Sequence, residues 1–177
     1  MTANPYMPGE KTGFVLAYIL LSMLFLVNAQ APSVLSIGGA GTPFLLMGIY
    51  YWSVYRPTLV PLWLVFVLGL LLDLLSGSPV GLNTAVFVAT RWLVTDQRLF
   101  LMGQSFMIVW LGFVFVCGIA VSSQWIIYGA LKMLWSASET IPATIALGAV
   151  LFPPVSVFLH ATHQLLPSGS GSYKPQR

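Results

Sequence analysis

The stretch Gly69-Leu-Leu-Leu-Asp73-Leu-Leu-Ser76-Gly77-Ser-Pro79-Val-Gly81-Leu-Asn83 decides how this chain is read. Its first half is an apolar helix carrying one acid about a turn from its end. Ser76 and Gly77 stop that helix, because glycine adopts the left-handed backbone that closes helices at little cost. Pro79 suits the start of a second helix. The residues spell a helix, a tight turn and a returning helix. Asp73 is the odd member: a carboxylate near a helix C-terminus faces the negative end of the macrodipole and does not help its own helix. The next helix opens with unpaired N–H groups that an acid satisfies. On this reading Asp73 bridges two helix ends, Gly77 and Gly81 leave room for the approach, and an amide at position 73 keeps most of the role.

The rest of the chain is as apolar as this stretch. Of 177 residues, 58% are hydrophobic and 6% charged, where a soluble domain carries about 25% charged residues. The mean hydropathy is +0.89. So few charges cannot solvate a globule of this size, which excludes a soluble enzyme, a disordered chain and a nucleic-acid binder. The net charge of +3 speaks to membrane orientation rather than to polyanion binding. The single cysteine, Cys117, excludes an intramolecular disulfide.

A spanning helix needs about 20 mostly apolar residues. Six stretches qualify: 13–31, 42–55, 58–75, 80–95, 102–123 and 141–166. The fold class is therefore an all-α integral membrane protein with six transmembrane helices. Residues 1–12 read as a loose cytoplasmic head and 167–177 as a flexible cytoplasmic tail. The fifth apolar run continues past Ser123, so 125–135 is assigned to an interfacial extension. Pro153 and Pro154 predict a kink in the sixth span. The first span imitates a secretory signal ending in Ala29-Gln30-Ala31. Pro32 disfavours cleavage there, so the span is expected to stay as an anchor. With the N-terminus inside, Lys11, Arg56, Arg91, Arg98, Lys174 and Arg177 fall on the inner side and Lys132 on the outer. That asymmetry obeys the positive-inside rule.

Few residues offer chemistry. Asp73 is the lone acid inside a predicted span, which makes it a functional candidate by default, with local capping as the competing role. Arg91 lies roughly 15 Å deep from the turn and Asp73 about 5 Å at a helical rise, so the two are not expected to pair. Arg91 is expected to snorkel to the inner headgroups instead. His160 and His163 share a helix face but lack further ligands for a metal site. Tyr50, Tyr51, Trp52 and Tyr55 fit an aromatic belt at the inner interface. Asn83, Thr84, Gln104 and Gln124 look scattered over three spans. Asp96 and Glu139 fall in loops on opposite sides, and no nucleophile–base set, paired acids or phosphate-cradling loop is present. Acid–base catalysis needs positioned titratable groups, so no enzyme, cofactor or metal site is expected.

The opening stretch resembles the signature of the MreD family of bacterial rod shape-determining proteins, roughly G-x-x-x-D-x-x-S-G-x-x-x-G. Gly69, Asp73, Ser76, Gly77 and Gly81 occupy its positions, with Pro79 inside the turn. The resemblance implies a non-enzymatic, multi-pass component of the bacterial inner membrane, with both termini cytoplasmic. It implies a part in the cell-elongation machinery that regulates peptidoglycan synthesis. The partners implied are MreC, MreB filaments, and the RodA glycosyltransferase with its penicillin-binding partner. It also implies a fold similar to the substrate-binding subunits of energy-coupling-factor transporters. That likeness supplies the alternative: a small-molecule-binding membrane subunit of a vitamin-type transporter.

Overall fold

The structure is a computed structural model that describes residues 8–34, 42–133 and 140–164. Six helices run through them: α1 (Pro8–Val34), α2 (Phe44–Tyr55), α3 (Leu62–Ser76), α4 (Leu82–Met102), α5 (Phe106–Lys132) and α6 (Thr140–Gln164). Most of the expected loop at 32–41, Glu139, the tail at 167–177 and the first seven residues of the head lie outside the described residues.

The boundaries depart from the sequence reading where a local signal was misjudged. Residues 8–12, expected to be loose, already belong to α1. Pro61 sits outside α3 as its N-cap, and its carbonyl accepts the N–H groups of Leu64 and Val65. α4 continues to Met102 instead of ending near Thr95, because Asp96 and Arg98 are compatible with a helix and the first glycine beyond them is Gly103. α5 is one unbroken helix of 27 residues with no interfacial break after Ser123. The Ser123 hydroxyl donates to Ala120 O, within its own helix, and so leaves the backbone ladder intact.

α2 is the axis of the bundle. It packs against α1, α4, α5 and α6, while α3 lies on α4 and α5 lies on α6. Residues 45–54 of α2 are all buried. Tyr50, Tyr51 and Trp52 are therefore core residues, not the interfacial belt expected for them. The Tyr50 ring meets Phe113 and Phe152 edge-on at 5.5 and 5.7 Å, a favoured aromatic geometry. Its hydroxyl donates to Val109 O at 2.9 Å. Burial of a tyrosine at this depth is possible because that donor finds a carbonyl.

The outer surface is apolar instead. Trp63, Leu74, Phe115 and Val150 are each more than 60% exposed. In water such a surface would aggregate; in a bilayer it is the matching solvent contact. Among the described residues two stretches, Phe106–Leu131 and Thr140–Ala161, are long and apolar enough to cross a membrane. α2 and α3, with 12 and 15 residues, extend only about 18 and 22 Å at the helical rise, short of the roughly 30 Å hydrocarbon core.

The short connection between α2 and α3 leaves backbone carbonyls outside any helical ladder, and these need other partners where they are buried. Arg91 provides them. Its Nε donates to Val60 O at 2.6 Å and a terminal nitrogen donates to Pro57 O at 3.0 Å. A further bond goes to the Thr95 hydroxyl. Arg91 thus ties α4 to the α2–α3 loop, where snorkelling to headgroups was expected. Three donors on one planar fork can satisfy several carbonyls at once.

Candidate functional site

The α3–α4 hairpin holds a connected set of polar contacts, and it is built from the quoted stretch. Gly69 comes first. A Cβ placed there would stand 2.6 Å from Thr84 Cα and 3.0 Å from Thr84 N, so α3 and α4 touch backbone to backbone at this point. Gly77 caps α3 with φ at 65°, and Gly81 caps α4 with φ at 97°. A Cβ at either would meet nothing within 4 Å. Their role is conformational, not the spacing role expected from the sequence, since only glycine adopts such φ values cheaply. The close approach belongs to Gly69.

That approach brings Asp73 onto the start of α4. Asp73 is fully buried and accepts five hydrogen bonds. Oδ1 accepts Asn83 N at 2.9 Å and Asn83 Nδ2 at 2.8 Å. Oδ2 accepts Gly81 N at 2.9 Å, Thr84 Oγ1 at 3.0 Å and Thr84 N at 3.3 Å. A helix leaves its first N–H groups without intrahelical partners. Here Leu82 N bonds Pro79 O, and Asp73 takes the other three. The acid of one helix thus acts as the N-cap of the next, on the positive side of its dipole.

Ser76 closes the turn by donating to Leu72 O at 2.7 Å and by bonding the Ser78 hydroxyl at 2.9 Å. The network continues inward: Gln124 Nε2 on α5 donates to Asn83 Oδ1 at 2.8 Å. Asn83 therefore links α3, α4 and α5 through one side chain. The polar residues that look scattered in sequence converge, apart from Gln104, which lies in the α4–α5 loop at the opposite end of α4 from Asn83. A cavity of about 260 Å³ opens beside the hairpin, and each helix contributes to it through Asn28, Leu46, Ser76, Asn83, Gln124 and Thr144. The charged Asp73 is sealed beneath it.

The remaining candidates lie elsewhere. Arg91 is bound to the α2–α3 loop, away from Asp73. Arg56 is the C-cap of α2 and Arg98 lies on α4. His160 Nδ1 sits 3.3 Å from the Tyr51 hydroxyl; the side chain of His163 is outside the described ones. No cluster of three metal-ligand side chains occurs among the described residues. Cys117 is buried. Of the network residues, Thr84 and Asn83 could have been found from the sequence, since they occupy the second and third positions of a helix awaiting a cap. Gln124 could not: 41 residues separate it from Asn83.

A family model described as rod shape-determining protein MreD matches residues 10–162, which include the whole hairpin and nearly all of the six helices. No curated protein and no solved structure matches. Nothing therefore supports the expected likeness to vitamin-transporter subunits or the alternative function drawn from it.

Proposed function

The chain belongs to the MreD family of rod shape-determining membrane proteins, and from that premise we propose that it acts by holding partner proteins of the lateral wall-synthesis complex, without catalysis. The observation that supports a holding role is the Asp73 network. A carboxylate with five donors makes the outer hairpin a stiff element joined to α5. A stiff surface binds without first losing conformational entropy. The proposed partners are MreC, with which contact is through helices and loops, then RodA and its penicillin-binding partner, and MreB on the cytoplasmic side. Gly69, Asp73, Ser76, Gly77, Pro79 and Gly81 are proposed as the residues that shape this element.

The proposed topology is six crossings in the inner membrane with both termini cytoplasmic. The distribution of Arg56, Arg91 and Arg98 supports it. One experiment tests role and topology together. In a rod-shaped bacterium that carries this chain as its family member, depletion should round the cells, tagged protein should retrieve MreC, and a reporter at Gly77 should read as outside. Cells that stay rods and lose uptake of a vitamin would overturn the function. A cytoplasmic signal at Gly77 would overturn the topology.

A further inference from the structure

The Asp73 carboxylate fixes the polarity of side chains well beyond the hairpin. A carboxylate only accepts hydrogen bonds. The Asn83 amide must therefore turn its NH2 group to Asp73 Oδ1, as it does at 2.8 Å. Its own Oδ1 is then the outer end, and only a donor can meet it. Gln124 supplies that donor, Nε2 at 2.8 Å. The contact uses the donor half of the Gln124 amide and leaves the acceptor, Oε1. On α1 the bias is reversed. Asn28 Oδ1 accepts Leu45 N, in the first turn of α2, at 3.3 Å, which leaves the Nδ2 donor. Among the described residues neither Gln124 Oε1 nor Asn28 Nδ2 has a hydrogen-bond partner, and the Thr144 hydroxyl on α6 has none either.

All three side chains line the cavity of about 260 Å³ beside the hairpin. That volume takes roughly nine water-sized groups. Among the described residues no ionisable side chain lines it, while Leu72 and Phe87 give it apolar surface. This chemistry selects the occupant. An anion offers only acceptors and sets them against Gln124 Oε1. An organic cation offers only donors and faces the Asn28 NH2 group. A hydrocarbon satisfies neither. A small uncharged molecule with an apolar body and one head carrying both a donor and an acceptor satisfies both. Each amide is already held at its far end, so little side-chain entropy is lost on binding.

We propose that this cavity binds a small neutral molecule whose head, a carboxamide or an equivalent donor–acceptor pair, donates to Gln124 Oε1 and accepts from Asn28 Nδ2. The Thr144 hydroxyl, which can do either, completes the contact. Gln124 is joined to the hairpin through Asn83, so an occupant ties α1 and α6 to that same network. The site goes beyond the holding role proposed above, stands without it, and implies no transport.

The probe is benzamide, compared with three molecules of the same shape: acetophenone, which lacks the donor, benzoate, an anion, and benzamidine, a cation. Binding to the full-length chain in lipid nanodiscs is read by ligand-detected magnetic resonance, with empty nanodiscs subtracted. A second reading is the rise in melting temperature that a ligand of the folded state produces. Benzamide should bind and raise the melting temperature. Acetophenone should bind roughly two- to twelve-fold more weakly for its one lost hydrogen bond, and benzoate and benzamidine not measurably. Thr144→Val removes a hydroxyl that has no partner to lose, so it should melt like the parent and weaken benzamide by a similar factor. Asn28→Asp keeps an oxygen for Leu45 N and turns the donor into a second acceptor, so it should lose benzamide and gain benzamidine. The proposal is overturned if benzamide does not bind the parent, if acetophenone and benzoate bind it equally well, or if a folded Asn28→Asp keeps the parent's order of the four. The ranking on the parent needs no variant and decides alone if Asn28→Asp does not fold. Failure to retrieve MreC from cells would sink the proposed function and leave this site standing.

Discussion

Asp73→Leu is expected to abolish folded protein in the membrane. The substitution strands five donors, three of them backbone N–H groups at the start of α4. A buried donor left without its acceptor costs about 1–3 kcal/mol, and a domain's whole stability is about 5–15 kcal/mol. Water in the adjoining cavity relieves part of this, but the carboxylate site itself is closed. Asp73→Asn should be intermediate. Both carboxylate oxygens are surrounded by donors, so one of them cannot become an NH2 group without facing N–H against N–H. An amide is therefore a poorer mimic than the sequence implied, with an expected loss of about 1–3 kcal/mol. Detergent-solubilised protein followed by thermal melting and size exclusion reads the order: parent, then Asn, then Leu. Because the side chain is fully buried, no partner touches it, and rod shape in cells should fall in step with folded protein. A leucine variant that melts like the parent would refute the capping role. An asparagine variant that folds fully and yet leaves cells round would refute the claim that its charge serves only the fold.

Gly69→Ala should destabilise the same hairpin through one methyl group, by less than Asp73→Leu does, and Gly69→Leu should cost more than Gly69→Ala. The new Cβ would stand 2.6 Å from a backbone atom, Thr84 Cα. A backbone cannot rotate away as a side chain does, so α3 and α4 must separate. Overpacking of this kind costs about 1–3 kcal/mol. Asp73 is one helical turn beyond Gly69, and Thr84 is one of its own partners. Separating the helices therefore also lengthens the carboxylate bonds. Two consequences check the argument by thermal melting. Gly103→Ala, whose Cβ would find its nearest atom at 3.9 Å, should be close to neutral. The double substitution Gly69→Ala with Asp73→Leu should cost less than the sum of its parts, because both damage one network. Strict additivity would show that the helix contact and the carboxylate are independent.

The hairpin was legible because its signals act within a turn or two of chain. A glycine that must take a positive φ and an apolar run of helical length mark themselves in the residues, and the first N–H groups of a helix always need partners. For the same reason the composition alone identified a membrane protein: 6% charge cannot cover a surface in water. Family membership was legible from five positions of one segment.

What the sequence could not determine were choices among partners far apart in the chain. Arg91 carries no mark that its donors belong to Val60 and Pro57, 31 and 34 residues away. Asn83 does not announce Gln124, and Trp110 does not announce Ala149 O, the carbonyl that Pro153 leaves without its helical N–H in α6. Tyr50 and Trp52 match an interfacial belt as well as a core. They became core because four other helices close around α2. A polar side chain in an apolar bundle takes whichever complementary group the packing brings within about 3 Å, and helix packing, set by contacts such as Gly69 on Thr84, exists only once the whole chain has folded.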